Sequence, residues 1–261
     1  MNPARGFGVA AGLDPEVATE LAGRCEELGY TSMWANDHPA ASGLETLAAF
    51  AGGSAAMQLG VGVLALDRNP ATDINAKIEE LDLDRSRLLI GVGAGFSERP
   101  LTRMREAHDE LRATIPGVKL ILAAMGPKMC ALAGARYDGA FFNWMTASFA
   151  AGARAKVEEG AAETGRETPR VYGYVRTSVG ADAETRLAKE EGFYRDLHDG
   201  YRNHFERLDE PPGTVGVAAE NPDDAGPMLG AYTALDTIVV RGLASARFDA
   251  MDRVATAAAP G

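Results

Sequence analysis

The sequence predicts a (β/α)8 barrel, on three observations. Eight short apolar segments alternate with eight helical ones, and sharing 261 residues among eight units gives about 33 residues per unit. Several apolar segments run without polar interruption, as parallel strands covered on both faces do. The length also suits one such barrel, which commonly takes about 250 residues. A doubly wound open sheet is the competing arrangement. No linker or composition break divides the chain, so residues 1–261 are expected to form a single barrel domain.

The alternation can be followed in order. GFGVAAG (6–12) is a short strand, and the next helix has Asp14 as its cap, Pro15 in its first turn and Gly29 as its stop. YTSMWAN (30–36) is the second strand, followed by a helix over about 43–57. LGVGVLAL (59–66) is the third, with a helix from Pro70; RLLIGVGAG (87–95) is the fourth, with a helix from Pro100. VKLILAA (118–124) and YDGAFFN (137–143) are the fifth and sixth, separated by PKMCALAGAR and followed by a helix after Met145. RVYGYVRTSVG (170–180) is the seventh and leads into one long polar helix over 183–207. LDTIVVRG (235–242) is the eighth, and a last helix closes the chain. The segment 208–227, rich in Pro and Gly, reads as an irregular excursion before the eighth strand.

Composition narrows the partners. A net charge of −11 argues against nucleic acid and anionic membranes as the main partner, while leaving room for a small anionic ligand at a local site. Cys25 and Cys130 are far apart in helical stretches, which fits a reducing cytoplasm better than a disulfide scaffold. The start of the chain lacks the apolar core of a signal peptide, and no run of eighteen apolar residues is present. A cytoplasmic protein acting on a small molecule, as a homodimer, is expected.

In a barrel the chemistry gathers at the C-terminal ends of the strands. That rim would carry Asp37 and His38, then Asp67, Arg68 and Asn69, then Gly93, Ala94 and Gly95. Met125, Gly126 and Pro127 follow the fifth strand, Asn143 and Trp144 the sixth, and Arg241 the eighth. GVGAG (91–95) permits close backbone approach but lacks the third glycine of a dinucleotide fingerprint. At AAMGPKMCALAG (123–134) a strand gives way to a helix opened by proline, whose free N–H groups and Lys128 could hold an anion. The Asp37-His38 pair fits either a catalytic role or loop capping. His108 reads as a solvated helix residue, and His198 and His204, six apart on one helix, do not share a face, so no metal site is expected. Phe193, Leu197, Tyr201, Phe205 and Leu208 form a stripe of the kind that builds a core, a subunit interface or a pocket wall.

CEELGYTSMWANDHP, LGVGVLALDRNP, RLLIGVGAG and GPKMCALAGARYDGAFFNW occur in this order at successive strand ends. Together they resemble the bacterial-luciferase-like flavin or deazaflavin oxidoreductases, over nearly the whole chain. The resemblance implies a (β/α)8 barrel binding FMN or the deazaflavin coenzyme F420 at the C-terminal rim. It implies His38 near the reactive ring with Asp37 supporting the histidine or the turn, and a cis peptide at Gly62-Val63 beneath the ring. Ala94, Gly95 and Phe96 would touch the ring and ribityl chain; Met125, Gly126 and Lys128 would hold the phosphate, and Asn143 completes the cofactor set. The Asp-His ending is closer to the deazaflavin users, so an F420-dependent oxidoreductase moving a hydride to or from a small organic substrate is expected. An FMN-dependent monooxygenase and a non-catalytic flavin-binding protein are the alternatives. Two departures stand out. Phe96 occupies the place where some deazaflavin dehydrogenases carry a glutamate, and FSERP is too short for the lid many members insert there. The missing lid means a more open site, or a lid borrowed from 192–227 or from a partner subunit.

Overall fold

Parallel strands close on themselves in this structure, a computed structural model that describes residues 2–261. The strands are β1 (Ala4–Val9), β2 (Ser32–Ala35), β3 (Gln58–Ala65), β4 (Leu88–Gly93), β5 (Lys119–Ala123), β6 (Gly139–Asn143), β7 (Arg170–Val179), β8 (Val217–Ala219) and β9 (Thr237–Gly242). Each of β1 to β6 pairs with the next, β6 pairs with β7, β7 with β9, and β9 with β1. Eight strands therefore form a closed barrel, and the expected fold class stands. The helices between them are α1 (Pro15–Glu27), α2 (Gly43–Gly53), α3 (Ala71–Glu80), α4 (Pro100–Thr114), α5 (Pro127–Arg136) and α6 (Ala147–Glu163). After β7 come α7 (Ala183–Leu197), α8 (Asp199–Leu208) and the one-turn α9 (Ala225–Leu229), and α10 (Phe248–Ala257) ends the fold.

Local chemistry sets the boundaries. Asp14 caps α1 by accepting from the Glu16 amide at 2.9 Å, and Pro15 supplies a first turn that needs no N–H. Ala18, Leu21, Ala22 and Cys25 then face the barrel wall at helical spacing. Truncating a buried leucine such as Leu21 to alanine would cost about 2–5 kcal/mol.

Two apolar layers result. One lies between the barrel wall and the helices. The other fills the barrel with Trp34, Leu89, Ile121, Phe141, Tyr172, Tyr174 and Val239. Glycine makes room for these rings: a Cβ on Gly60 would stand 2.3 Å from the Trp34 indole. Trp34 satisfies its indole N–H on the Ser32 hydroxyl at 2.9 Å.

Four expectations need correction. The long helix over 183–207 is two helices, because His198 takes an extended conformation (φ −168°, ψ 163°) and caps α8, its Nδ1 accepting from the Gly200 amide at 2.9 Å. Local side-chain capping there outcompetes helix continuation through Asp199 and Gly200. The excursion 208–227 is not wholly irregular, since β8 pairs with Thr177–Val179 of β7. That pairing covers the end of β7 that outruns β9. His108 is not solvated either: its ring packs edge-on against Tyr137 at 5.0 Å, its Nδ1 meets Asp109, and its Nε2 is buried without a partner. The second helix also stops earlier, at Gly53, where Ser54 turns extended.

Candidate active site

The C-terminal rim gathers the residues singled out by sequence, but they do unequal work. Asp37 follows β2 and is spent on the scaffold. Its Oδ1 accepts from the Gly43 amide at 3.0 Å, and its Oδ2 accepts from Asn69 and from Arg68, each at 3.3 Å. It thus ties the start of α2 to the loop after β3. Among the described residues it makes no bond to His38, so of the two expected supports it gives the turn, not the histidine.

His38 is half-buried in a small loop closed by backbone bonds with Ala41. Its Nδ1 accepts from the Ala40 amide at 3.3 Å. The neutral ring must then carry its proton on Nε2. A donor is therefore left facing away from its own loop.

The floor of the rim is backbone. Gly62 and Val63 are partly accessible within a strand whose preceding residues are buried, and the bond between them is cis, as the sequence reading expected. The pairing of β3 with β4 shifts register between Val61 and Leu64. A Cβ on Gly62 would lie 3.0 Å from both the Phe141 ring and the Tyr174 hydroxyl. That hydroxyl is buried with no hydrogen-bond partner, and burial raises its pKa.

Ala94, Gly95 and Phe96 form the next wall. Gly95 has φ 62°, and a Cβ there would fall 2.0 Å from an Asp67 oxygen, so only glycine fits. Asp67 also accepts from the Phe96 amide at 3.0 Å, which pins the loop. The Phe96 side chain is 72% exposed and meets the His198 ring edge-on at 5.5 Å. At the start of α5, Gly126 caps the helix without any side-chain bond, and a Cβ on it would meet nothing within 4 Å. Lys128 is exposed there, and no described carboxylate pairs with it. Met125 is half-buried beside it. These strand ends belong to the contiguous neighbours β3, β4 and β5. Accessible backbone and an uncapped helix start fit a flat, phosphorylated flavin or deazaflavin.

Asn143 sits at the border of a different region. Its Nδ2 donates to the Tyr201 hydroxyl at 3.1 Å, and its Oδ1 accepts from Arg176. Burial pushes the Tyr201 hydroxyl up to about 12. Trp144, next in sequence, has φ 52°, and its carbonyl accepts from His204 Nε2 at 2.6 Å. His204 is fully buried, and desolvation lowers its pKa against the raising effect of that bond. The Arg176 guanidinium lies 4.1 Å from the Trp144 ring centroid and 5.1 Å from that of Tyr194. Trp144, Leu187, Phe205, Leu208 and Val215 make a separate apolar cluster under α7 and α8. His198, Tyr201 and His204, within 192–227, thus pack against Phe96, Asn143 and Trp144 on the rim.

Arg176 and Arg241 are what the sequence reading undervalued. The sequence puts Arg241 on the rim without a role, and Arg176 lies inconspicuously inside RVYGYVRTSVG. The signal was available: Arg176 shares the two-residue phase of Tyr172 and Tyr174, so a charge had to enter the barrel. Both arginines are buried and are register partners on β7 and β9. Beside them, Val9, Leu13, Lys189, Phe193, Arg241 and Leu243 contribute to a cleft of about 430 Å³. Among the described residues no cluster of His, Cys, Asp and Glu could hold a metal, and no helix is long and apolar enough to cross a membrane.

Comparison with solved structures finds the same barrel in proteins of low sequence identity. An F420-dependent secondary alcohol dehydrogenase, solved with an F420-acetone adduct, aligns with TM-score 0.73 at 17% identity, covering 99% of each chain. The coenzyme F420-dependent tetrahydromethanopterin reductase of Methanopyrus kandleri gives 0.75 at 18% identity, covering 98% of each. The oxygenating constituent of 3,6-diketocamphane monooxygenase from Pseudomonas putida, in complex with FMN, gives 0.65 at 13% identity, covering 100% of this chain and 99% of that one. Such identities establish a shared fold. The family description of luciferase-like monooxygenases matches residues 112–246, more than half of the chain. By that match the chain belongs to the luciferase-like monooxygenase family.

Proposed function

We propose that this enzyme is an F420-dependent oxidoreductase that moves a hydride between the deazaflavin and a small organic substrate. The observation that carries the reading is the arc from β3 to β5. Gly62, Val63 and Ala94 are partly accessible and Gly95 is exposed, and the α5 start has no side-chain cap, with open space at Gly126. The bound deazaflavin supplies the hydride chemistry; the protein supplies placement and electrostatics. Gly62 and Val63 form the floor, Ala94, Gly95 and Phe96 the wall, and Met125, Gly126 and Lys128 the phosphate seat. Asn143 holds the edge of the site. His38 presents Nε2–H toward the reacting atoms and orients substrate or passes a proton, while Asp37 keeps the histidine loop in place.

F420 rather than FMN is favoured by the Asp37-His38 pair after β2 and by two structural neighbours described as F420-dependent. The FMN monooxygenase is the second reading, favoured by the family match and by the FMN-bound neighbour. Oxygen separates them. Under the proposal, reduced F420 is reoxidised by an organic acceptor with no oxygen consumed. Oxygen uptake that needs reduced FMN, with F420 inert, would replace the proposal by the second reading.

A further inference from the structure

Two buried cations meet at one end of this barrel without an anion. Arg176 and Arg241 are Cα partners on adjacent parallel strands. Each stands two residues beyond an interior side chain, Tyr174 and Val239, so both enter the barrel at its C-terminal mouth. They are only 3% and 8% exposed. Among the described residues neither forms an ion pair. Arg176 donates to Asn143, and its Nε is buried with no partner; Arg241 donates to the Gly242 carbonyl at 3.0 Å. The Arg241 guanidinium is held below its ordinary range by burial first and by the charge of Arg176 second. Glu190 in the same cleft acts on it only from a distance.

Structural ion pairs in this fold look different. Glu191, fully buried on α7, is answered by Arg195 at 2.7 Å and by the Val215 amide at 3.0 Å. Burying a charge unpaired is costly, and burying two like charges side by side is worse. Three of the five buried polar atoms without a partner, Trp144 Nε1, Tyr174 Oη and Arg176 Nε, fall around this pair. The cleft that reaches Arg241 is lined by Arg186, Lys189 and Arg241 against the one carboxylate of Glu190, on a chain of net charge −11. A local excess of cations on an acidic protein is a focused field for an anion.

We infer that Arg176 and Arg241 form the binding point for an oxyanion, a carboxylate, sulfonate or phosphate carried by the small-molecule substrate and admitted through the cleft under α7. Two planar forks can share one oxyanion, and the ligand would supply the partner that the fold withholds. The substrate assignment rests on the reading of the rim as a redox site; the anion site does not. An oxyanion on the cofactor is the other source of the same chemistry, and it is separated below.

The probes are inorganic phosphate and propionate, titrated calorimetrically into the full chain without cofactor. Both should bind, and Arg176→Gln and Arg241→Gln should each weaken binding at least tenfold. Without probe, both variants should melt no lower than the wild type, because each removes a desolvated cation beside another. Arg241→Lys keeps the charge and loses the fork, so it should fall between; Lys189→Gln, on the exposed wall, should weaken binding two- to threefold and serves if the buried variants fail to fold. Probe binding unchanged by all of these substitutions overturns the site. A fall in melting temperature with no change in probe affinity means that the arginines are structural, and also overturns it. FMN and riboflavin then identify the source. Propionate binding that persists with saturating FMN supports the substrate, whereas FMN that displaces phosphate, where riboflavin does not, moves the site to the cofactor phosphate and overturns the substrate assignment. No F420 enters these titrations, so their failure leaves the F420 reading standing, and failure of F420 to bind leaves the anion site standing.

Discussion

The rim has two arcs built from opposite materials. From β3 to β5 it offers glycine, alanine and backbone, with Gly62, Val63, Ala94 and Gly126 partly accessible. From β7 to β9 it offers arginine and aromatic rings, roofed by α7 and α8. Small residues let a flat group approach the main chain but provide little charge. Arginines and rings provide charge and shelter but leave no room for close backbone approach. Under the proposed function, one barrel separates the place that would hold a planar cofactor from the place that would select what reacts with it. His38, in the loop after β2, stands beside the β3 end of the small-residue arc.

The comparison can be broken most sharply at His38. If its Nε2–H serves the reaction, His38→Ala should lower kcat by about a hundredfold or more with little change in cofactor affinity, within the usual range for proton-transfer groups. Steady-state kinetics beside a cofactor titration would read this, and unchanged kcat would remove His38 from the chemistry. Its neighbour should behave in the reverse sense. Asp37→Ala leaves the Gly43 amide and Asn69 without their acceptor, so stability should fall by about 1–3 kcal/mol. Thermal melts measure the loss, and kcat corrected for folded protein should change far less than in His38→Ala.

A smaller effect sharpens the small-residue arc. Lys128 adds a point charge beside the uncapped start of α5, whose dipole and amides survive its removal. Lys128→Ala should weaken F420 by about 1–2 kcal/mol, roughly five- to thirtyfold, and the gap should narrow as salt is raised. An equal affinity at low salt would show that the ammonium points away.

The smallest effect belongs to the roofed arc. His204 is held neutral by burial, with a pKa below its ordinary 6.5. The unfolded chain therefore binds the extra proton first, and the stabilisation is complete above about 6.5 and lost as pH falls through the lower folded value. A profile of melting temperature against pH should show this acid loss in the wild type and a shallower one in His204→Gln. Identical profiles would mean that His204 is not the group being titrated.

Much of this was legible beforehand, for a physical reason. Parallel strands must be apolar on both faces, so the eight strands announce themselves, and proline or aspartate at helix starts fixes where the helices begin. Gly95 and Gly126 could be placed on the rim because they follow the fourth and fifth strands, whereas Gly62 came only from the family resemblance. Arg176 was harder, since one charge inside an apolar strand is easily taken for an edge, and only its phase with Tyr174 shows that it points inward. The break at His198 is hidden because helical periodicity continues through it; its cause is an Asx-like cap made by an imidazole, which sequence patterns rarely flag. The role of Asp37 depended on Gly43, Arg68 and Asn69, partners that sequence distance conceals.

Fluorescence titration of the purified protein with F420 and with FMN, for the wild type and for Gly62→Leu, tests the division of the rim most directly. Tighter binding of F420 than of FMN by the wild type is the expected result. In Gly62→Leu the new side chain crowds the Phe141 ring and the Tyr174 hydroxyl and rises into the floor, a cost of about 1–3 kcal/mol, so F420 affinity should fall about 5- to 150-fold. Micromolar FMN binding with no measurable F420 binding would contradict the cofactor assignment, and full F420 affinity in Gly62→Leu would contradict its placement on the small-residue arc.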